Sequence, residues 1–249
     1  MFQLTATTDD EKPDFLYAPI LIQEDELTVK TIIEASEKEQ GFKLRHAIFA
    51  EELGWVPHGE NKMEIDRYDR GAVHFGTFDT SGRLLSYLRL MPPGAPYMIE
   101  REFINLVSPG HKIRKDLEST EITRLCVAAE ARKRSVKGGF GSHSIAMFLY
   151  KGVYNWCLIN RIRYLYMVIE HKIFRLLSAR GFPCKPVGDL VTMPDGVMAV
   201  AAIMDWREFE TVNARKKPEM FLWFNQRRST QAEQPLQRPA FDSLHPFSR

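Results

Sequence analysis

The sequence predicts an α/β fold, a mixed β-sheet with helices packed against it, and three observations predict it. Two strand-like runs, 72–78 and 84–91, flank the turn formers Asp79-Thr80-Ser81-Gly82 and read as a hairpin. The run 163–170 (Arg-Tyr-Leu-Tyr-Met-Val-Ile-Glu) is almost continuously apolar and rich in aromatic and β-branched residues, as a central strand should be. From residue 121 onward the pattern alternates strand, helix, strand, helix, strand.

Taken in order, residues 1–15 are polar, carry Pro13 and are expected to form a loose arm. Residues 17–23 suit a short first strand. Asp25 is a plausible N-cap for a helix carrying Val29, Ile32, Ile33 and Ser36 at helical spacing. A second helical stretch, 42–52, carries Leu44, Ile48 and Phe49 and ends at Leu53-Gly54-Trp55. After the hairpin, Pro92 and Pro93 stop the strand, and a loop with Pro96, Pro109 and Gly110 leads to a strand at 121–128. In 142–158, Ile145, Phe148, Leu149, Val153, Trp156 and Cys157 form one helical stripe. A helix over 171–180 is closed by Gly181 at the position where left-handed backbone favours glycine. A strand over 197–204 and a short helix at 206–209 follow. From Ser229 onward Gln, Pro, Arg and Ser dominate. The expected organisation is one domain over 16–215, with 216–249 a largely disordered extension.

The 249 residues are 44% hydrophobic and 27% charged, which suffices for a core without staples. Cys126, Cys157 and Cys184 lie far apart among apolar neighbours and read as reduced core thiols. The N-terminus lacks the pattern of a secretory signal, and no apolar run reaches the length of a membrane span, so a cytoplasmic location is expected. The net charge of +2 conceals an asymmetry: between Arg124 and Arg180 eleven Lys or Arg face two acids. That window is either a solvated face or a docking surface for something acidic.

The chemistry-bearing residues are Arg45-x-x-x-Phe49-x-x-x-x-x-Trp55, Asp66-x-x-Asp69, Arg89, Phe103 and Glu121-x-x-Arg124. In this order and spacing they resemble the acyl-homoserine-lactone (autoinducer) synthases over about residues 40–205. Leu53-Gly54-Trp55 and Glu64-Ile65-Asp66-Arg67-Tyr68-Asp69 carry the resemblance most closely. The resemblance implies a GNAT-like acyltransferase fold whose mixed central sheet has a bulge or splay and helices on both faces. It implies that the amine of S-adenosylmethionine attacks the thioester of an acyl carrier protein, and that the amide then lactonises and releases methylthioadenosine. S-adenosylmethionine is then a substrate, with no further cofactor and no metal expected. Glu121, Arg124, Asp66 and Asp69 take catalytic roles; Arg45, Phe49, Trp55, Arg89 and Phe103 bind substrate.

Elementary chemistry agrees with this. A sulfonium carrying an ammonium and a carboxylate needs anions and a cation around it, and attack requires a base for the ammonium proton, for which Glu121 is the first candidate. In a regular strand Glu121 and Arg124 face opposite ways; a bulge between them brings both to one pocket and frees an amide for the oxyanion. Plainer readings stand beside each assignment: Asp66 and Asp69 as turn caps, Arg89 or the Glu121/Arg124 pair as structural ion pairs, Phe49, Trp55 and Phe103 as packing.

The segment Arg132-Lys133-Arg134-Ser135-Val136-Lys137-Gly138-Gly139-Phe140-Gly141 precedes a helix and suits a phosphate. Arg132, Lys133, Arg134, Lys137, Gly139 and Gly141 are therefore candidates to hold phosphopantetheine and face an acidic carrier protein; an ordinary loop is the alternative. The segment lacks the Arg-x-x-Gly-x-Gly pattern of coenzyme A acetyltransferases. Competing functions are an N-acyl amino acid synthase and a non-catalytic acyl- or nucleotide-sensing module. No nucleic-acid signature accompanies the basic window.

Overall fold

A computed structural model describes residues 17–138 and 140–226. The arm 1–15, Gly139 and the polar tail beyond Ser229 lie outside the described residues. Eleven strands are described: β1 (Leu21–Glu24), β2 (Leu27–Ile32), β3 (Val73–Asp79), β4 (Leu84–Met91), β5 (Ser119–Val127), β6 (Ser135–Gly138), β7 (Gly141–Ser144), β8 (Tyr164–Glu170), β9 (Lys185–Pro186), β10 (Val191–Thr192) and β11 (Met198–Asp205). Five α-helices accompany them: α1 (Ala35–Arg45), α2 (Ile145–Ile159), α3 (His171–Ala179), α4 (Trp206–Lys216) and α5 (Pro218–Asn225). A π-helical segment, His46–Glu52, continues α1.

The main sheet runs β1-β2-β3-β4-β5-β8-β11-β10, with β9 also on β11. Its only parallel pair among the described strands is β5 with β8. Helix α2 opens with the Ser144 hydroxyl accepting from the Met147 N–H, and it packs its apolar stripe on the sheet. With α3, α4 and α5 it covers one face over the largest apolar cluster. The other face carries α1, the π segment and the loops between β4 and β5, over two smaller clusters. The three cysteines are buried and free.

Three expectations are corrected. The helix expected after Asp25 is the β1–β2 hairpin: Asp25 sits in the left-handed region at φ 53°, and α1 begins only at Ala35. The alternating burial of Leu27 and Val29, together with β-branched Thr28, Val29 and Thr31, outweighs the helical spacing once β1 and β3 flank the segment. The expected extension from 216 is ordered through α5, because Trp223 and Phe224 are fully buried and Phe224 packs on Tyr154, Phe182 and Phe209. The Gly-rich segment is not an open loop at a helix N-terminus but the β6–β7 hairpin. Gly138 is required there by close approach, since a Cβ would meet Trp223 Nε1 at 2.6 Å.

Two bulges reset which side chains face which side. The register shift between Thr77 and Phe78 inserts Leu85 into β4, so Leu85 joins the α2 face, whereas Tyr87, two residues on, lies on the α1 face. In β5, Thr123 pairs with Arg89 and Cys126 with Tyr87, so Arg124 and Leu125 together oppose Leu88.

Candidate active site

Strand β5 pairs with β8 only from Ser119 to Ile122, opposite Tyr164–Met167. Beyond that point the two strands separate, and a cleft of about 900 Å³ passes through the gap. On the α1 side its wall includes Phe49, Trp55, Asp66, Met98, Phe103, Glu121 and Arg124. On the α2 side an apolar arm is lined by Tyr150, Val153, Ile173, Leu177, Phe182 and Cys184.

The β5 bulge explains how Glu121 and Arg124 reach one pocket. Before it, Ile122 joins the α2-face cluster; after it, Leu125 and Val127 do, and Cys126 turns to the α1 face. The alternation is thus displaced by one residue at Arg124, which adopts φ 54° and directs its guanidinium to the side where Glu121 already lies. A non-glycine residue in this region is strained, and the ion pairs of Arg124 offset that strain.

Three arginines and three carboxylates interlock at this wall. Arg45, fully buried at the end of α1, donates from Nε to Glu64 and makes a bidentate pair with Asp69 at 2.6 and 3.1 Å. Arg89, fully buried on β4, donates to Asp66 at 2.5 and 3.0 Å, to Asp69 at 2.7 Å and to Thr123 Oγ1 at 2.9 Å. Arg124 Nη2 donates to Glu64 and to Asp66, both at 2.9 Å. The network is balanced, three charges of each sign. The turn that supplies the acids closes on itself, Asp69 accepting the Asp66 N–H and Asp66 the Tyr68 N–H, both at 2.8 Å. Capping and arginine binding are therefore performed by the same two aspartates.

Burial alone favours the neutral form of Asp69, but the hydrogen bonds and charge of Arg45, with the charge of Arg89, outweigh it and hold Asp69 at about 2. Behind Arg45 stand Tyr87, whose hydroxyl accepts from Nη1 at 3.3 Å, and His74, whose Nδ1 lies 2.6 Å from the same oxygen. Burial holds His74 down at about 4 and raises Tyr87, so both are neutral at neutral pH.

Glu121 is 1% exposed and does not pair with Arg124. Its carboxylate accepts the Met98 N–H at 2.6 Å and the Ile99 N–H at 2.8 Å. Burial raises it to about 7 against the lowering effect of those two amides. The turn is fastened to β5 by Tyr97, which donates to the Ser119 carbonyl at 2.7 Å. Phe49 and Trp55 stack at 6.1 Å, with the Arg124 guanidinium 5.6 Å from the Phe49 ring. Trp55 remains 41% exposed, so it is a surface of the cleft rather than core.

Of the residues expected from sequence, Phe49, Trp55, Asp66, Phe103, Glu121 and Arg124 line the cleft, while Arg45, Asp69 and Arg89 stand behind it, Arg89 donating to Asp66 and Arg45 sharing Glu64 with Arg124. Arg132, Lys133, Arg134, Lys137 and Gly141 do not line it. Arg132 pairs with Glu52 at 2.6 Å, Arg134 lies 3.8 Å from Asp79, and Lys133, Lys137 and Gly141 are exposed. The basic window is also not one continuous face: Arg124, Arg132, Lys151 and Arg163 pair with Glu64, Glu52, Glu24 and Asp205 from outside it. Sequence reasoning missed Glu64, Met98 and Thr123 as site residues. Glu64 had a signal, since it lies two residues before Asp66. Among the described residues, no group of His, Cys, Asp and Glu is arranged to hold a metal ion, and no helix is long and apolar enough to cross a membrane.

Residues 30–213 match the protein family described as autoinducer synthase. The chain belongs to the autoinducer synthase family. It is an acyltransferase of the acyl-homoserine-lactone synthase type. The probable acyl-homoserine-lactone synthase of Sinorhizobium fredii (strain NBRC 101917 / NGR234) is 27% identical over 165 residues, 64% of this chain and 76% of that protein. The acyl-homoserine-lactone synthase of Rhizobium radiobacter is 26% identical over 177 residues, 70% and 82% of the two chains. The fold is shared with BjaI, a CoA-dependent acyl-homoserine lactone synthase solved with SAM and isopentyl-CoA (TM-score 0.61, 23% identity, 72% of this chain and 82% of that chain). It is shared more distantly with FeeM, an N-acyl amino acid synthase from uncultured soil microbes (TM-score 0.53, 16% identity, 75% and 93%), and with a putative N-acetyltransferase from Lactobacillus plantarum (TM-score 0.50, 13% identity, 73% and 99%).

Proposed function

We propose that the chain transfers an acyl group from acyl carrier protein to the amine of S-adenosylmethionine, and that the product closes to an acyl-homoserine lactone with release of methylthioadenosine. The observation that carries this reading is the junction at the gap between β5 and β8. There a charge-balanced arginine–carboxylate wall, an apolar arm and a carboxyl group near neutrality meet in one cleft.

The assignment of parts follows from their chemistry. Arg124, the least buried of the three arginines, faces the substrate carboxylate, and Asp66 the cationic end. Phe49 and Trp55 offer a stacked aromatic surface to the adenine. Glu121 takes the ammonium proton directly or through a water; at about 7 it is both ionised and basic near neutral pH. The neutral amine then attacks the thioester carbonyl, and the carrier thiol leaves. From Thr123 onward the edge of β5 that β8 would have paired is open, which supports oxyanion stabilisation by a backbone amide there. In the second step the substrate carboxylate displaces methylthioadenosine from the carbon beside the sulfonium, a cationic leaving group that departs neutral.

The test is incubation of the purified chain with S-adenosylmethionine and acyl-loaded carrier protein, with matched coenzyme A thioesters in parallel. Methylthioadenosine and an acylated lactone, formed faster from the carrier protein, are the expected products. A faster reaction with coenzyme A reassigns the donor. Acylation of a free amino acid without methylthioadenosine identifies an N-acyl amino acid synthase instead.

A further inference from the structure

One polar group in the apolar arm has no role in the chemistry above. Tyr150, on α2, packs its ring edge-on against Phe182 at 5.5 Å and lines the cleft beside Leu177 and Cys184. Its hydroxyl makes no hydrogen bond to any described residue. Unlike the sealed and unpartnered hydroxyls of Thr77 and Ser86, it is not sealed, and the half-buried residue that carries it lines the cleft. Its electrostatic neighbours are the Cys184 thiol and the Arg180 guanidinium. Neither Phe182, Leu177, Val153 nor Ile173 offers an acceptor. Once an acyl chain fills the arm, a hydroxyl stripped of water and left without a partner is costly, and the cost is removed by an oxygen on the chain.

We propose that the Tyr150 hydroxyl reads the acyl group, and that the preferred donors carry an oxygen substituent, a hydroxyl or a keto group, on the chain. This rests on the proposed acyl transfer, in which the arm holds the acyl chain. The phenol stays neutral because burial raises its pKa, so it is a hydrogen-bond donor throughout the working pH range. The nearby Arg180 charge favours an acceptor oxygen over a donor at the same place. An unsubstituted chain displaces water from the phenol and returns nothing to it, and sites built around a hydrogen bond reject such analogues strongly. A chain with the oxygen restores the bond.

The experiment compares length-matched thioesters, unsubstituted, hydroxylated and oxidised to the ketone, on wild type and on Tyr150→Phe. The substitution removes only the hydroxyl and keeps the ring on Phe182; unchanged thermal unfolding confirms the fold. Wild type is expected to favour an oxygenated donor in kcat/KM by at least about tenfold. Tyr150→Phe is expected to erase that preference, lowering kcat/KM for the oxygenated donor and leaving or raising that for the plain one. Equal preference ratios in the two proteins overturn the proposal. Calorimetric binding of the corresponding free fatty acids to both proteins reads the same discrimination without turnover. A chain that makes no lactone yet binds the hydroxylated acid through Tyr150 therefore separates failure of the enzymatic reading from failure of this one.

Discussion

Replacing Asp69 by Asn tests whether the buried network is held by charge rather than by shape. Asp69 accepts four hydrogen bonds, from Arg45 Nη1 and Nη2, Arg89 Nη1 and the Asp66 N–H. Asn keeps one acceptor oxygen, turns the other into a donor facing donors, and leaves three guanidinium groups against two carboxylates. Breaking a buried pair from one side costs about 3–5 kcal/mol. For a domain of this size that corresponds to a fall of about 6–20 °C in Tm. The pH dependence gives an independent figure. Asp69 falls from an ordinary 3.8 to about 2 on folding, worth about 2 kcal/mol. Because the folded pKa is the lower one, that stability is fully present above about pH 4 and is lost as the pH falls through about 2. Urea unfolding of both proteins between pH 7 and pH 2 is the assay. The variant should be much weaker at pH 7, and the gap should narrow by about 2 kcal/mol as wild type loses its acid-labile share. A deficit under about 1 kcal/mol at pH 7, the size of a solvated surface pair, refutes the reasoning.

Glu121→Gln should lower kcat/KM by about 10²–10⁴-fold, and wild-type activity should rise with pH through about 7, a limb the variant lacks; an identical limb in both proteins assigns the base elsewhere. Gly138→Ala, whose Cβ would meet Trp223 Nε1 at 2.6 Å and Cδ1 at 2.8 Å, should destabilise by about 1–3 kcal/mol in thermal unfolding and leave the Michaelis constants intact. Charge reversal at Arg132 and Lys133, both exposed, should raise KM for acyl carrier protein without altering small-thioester turnover, and an unchanged KM removes that face from carrier docking.

Where local pattern and tertiary pairing agree, the elements could be read in advance. The β3–β4 hairpin, β8, α3 with Gly181 at φ 97°, and β11 all fall where alternation and turn chemistry put them. The β1–β2 hairpin could not, because Val29, Ile32 and Ile33 sit at helical spacing, and the competing alternation of Leu27 and Val29 prevails only once β1 and β3 flank the segment. Helix α5 was hidden because part of the burial of Trp223 and Phe224 comes from α2, far away in sequence, where Phe224 packs on Tyr154. At the site, the resemblance to the autoinducer synthases brought out Arg45, Asp66, Asp69, Arg89, Glu121 and Arg124, and the parity conflict between Glu121 and Arg124 pointed to a bulge near them. It could not tell which of these residues face the cleft and which stand behind it. Depth is set by the packing of α1 on β4, where Gly41 leaves room for the Tyr87 ring.

The most direct test of the account is calorimetric titration of S-adenosylmethionine into the chain before any acyl donor is added, in wild type and in Arg124→Met. The account predicts one site per chain and a loss of at least about tenfold in affinity in the variant, the value of a charged hydrogen bond at the exposed end of the network. Equal affinity in a folded Arg124→Met, or no binding to wild type, contradicts it.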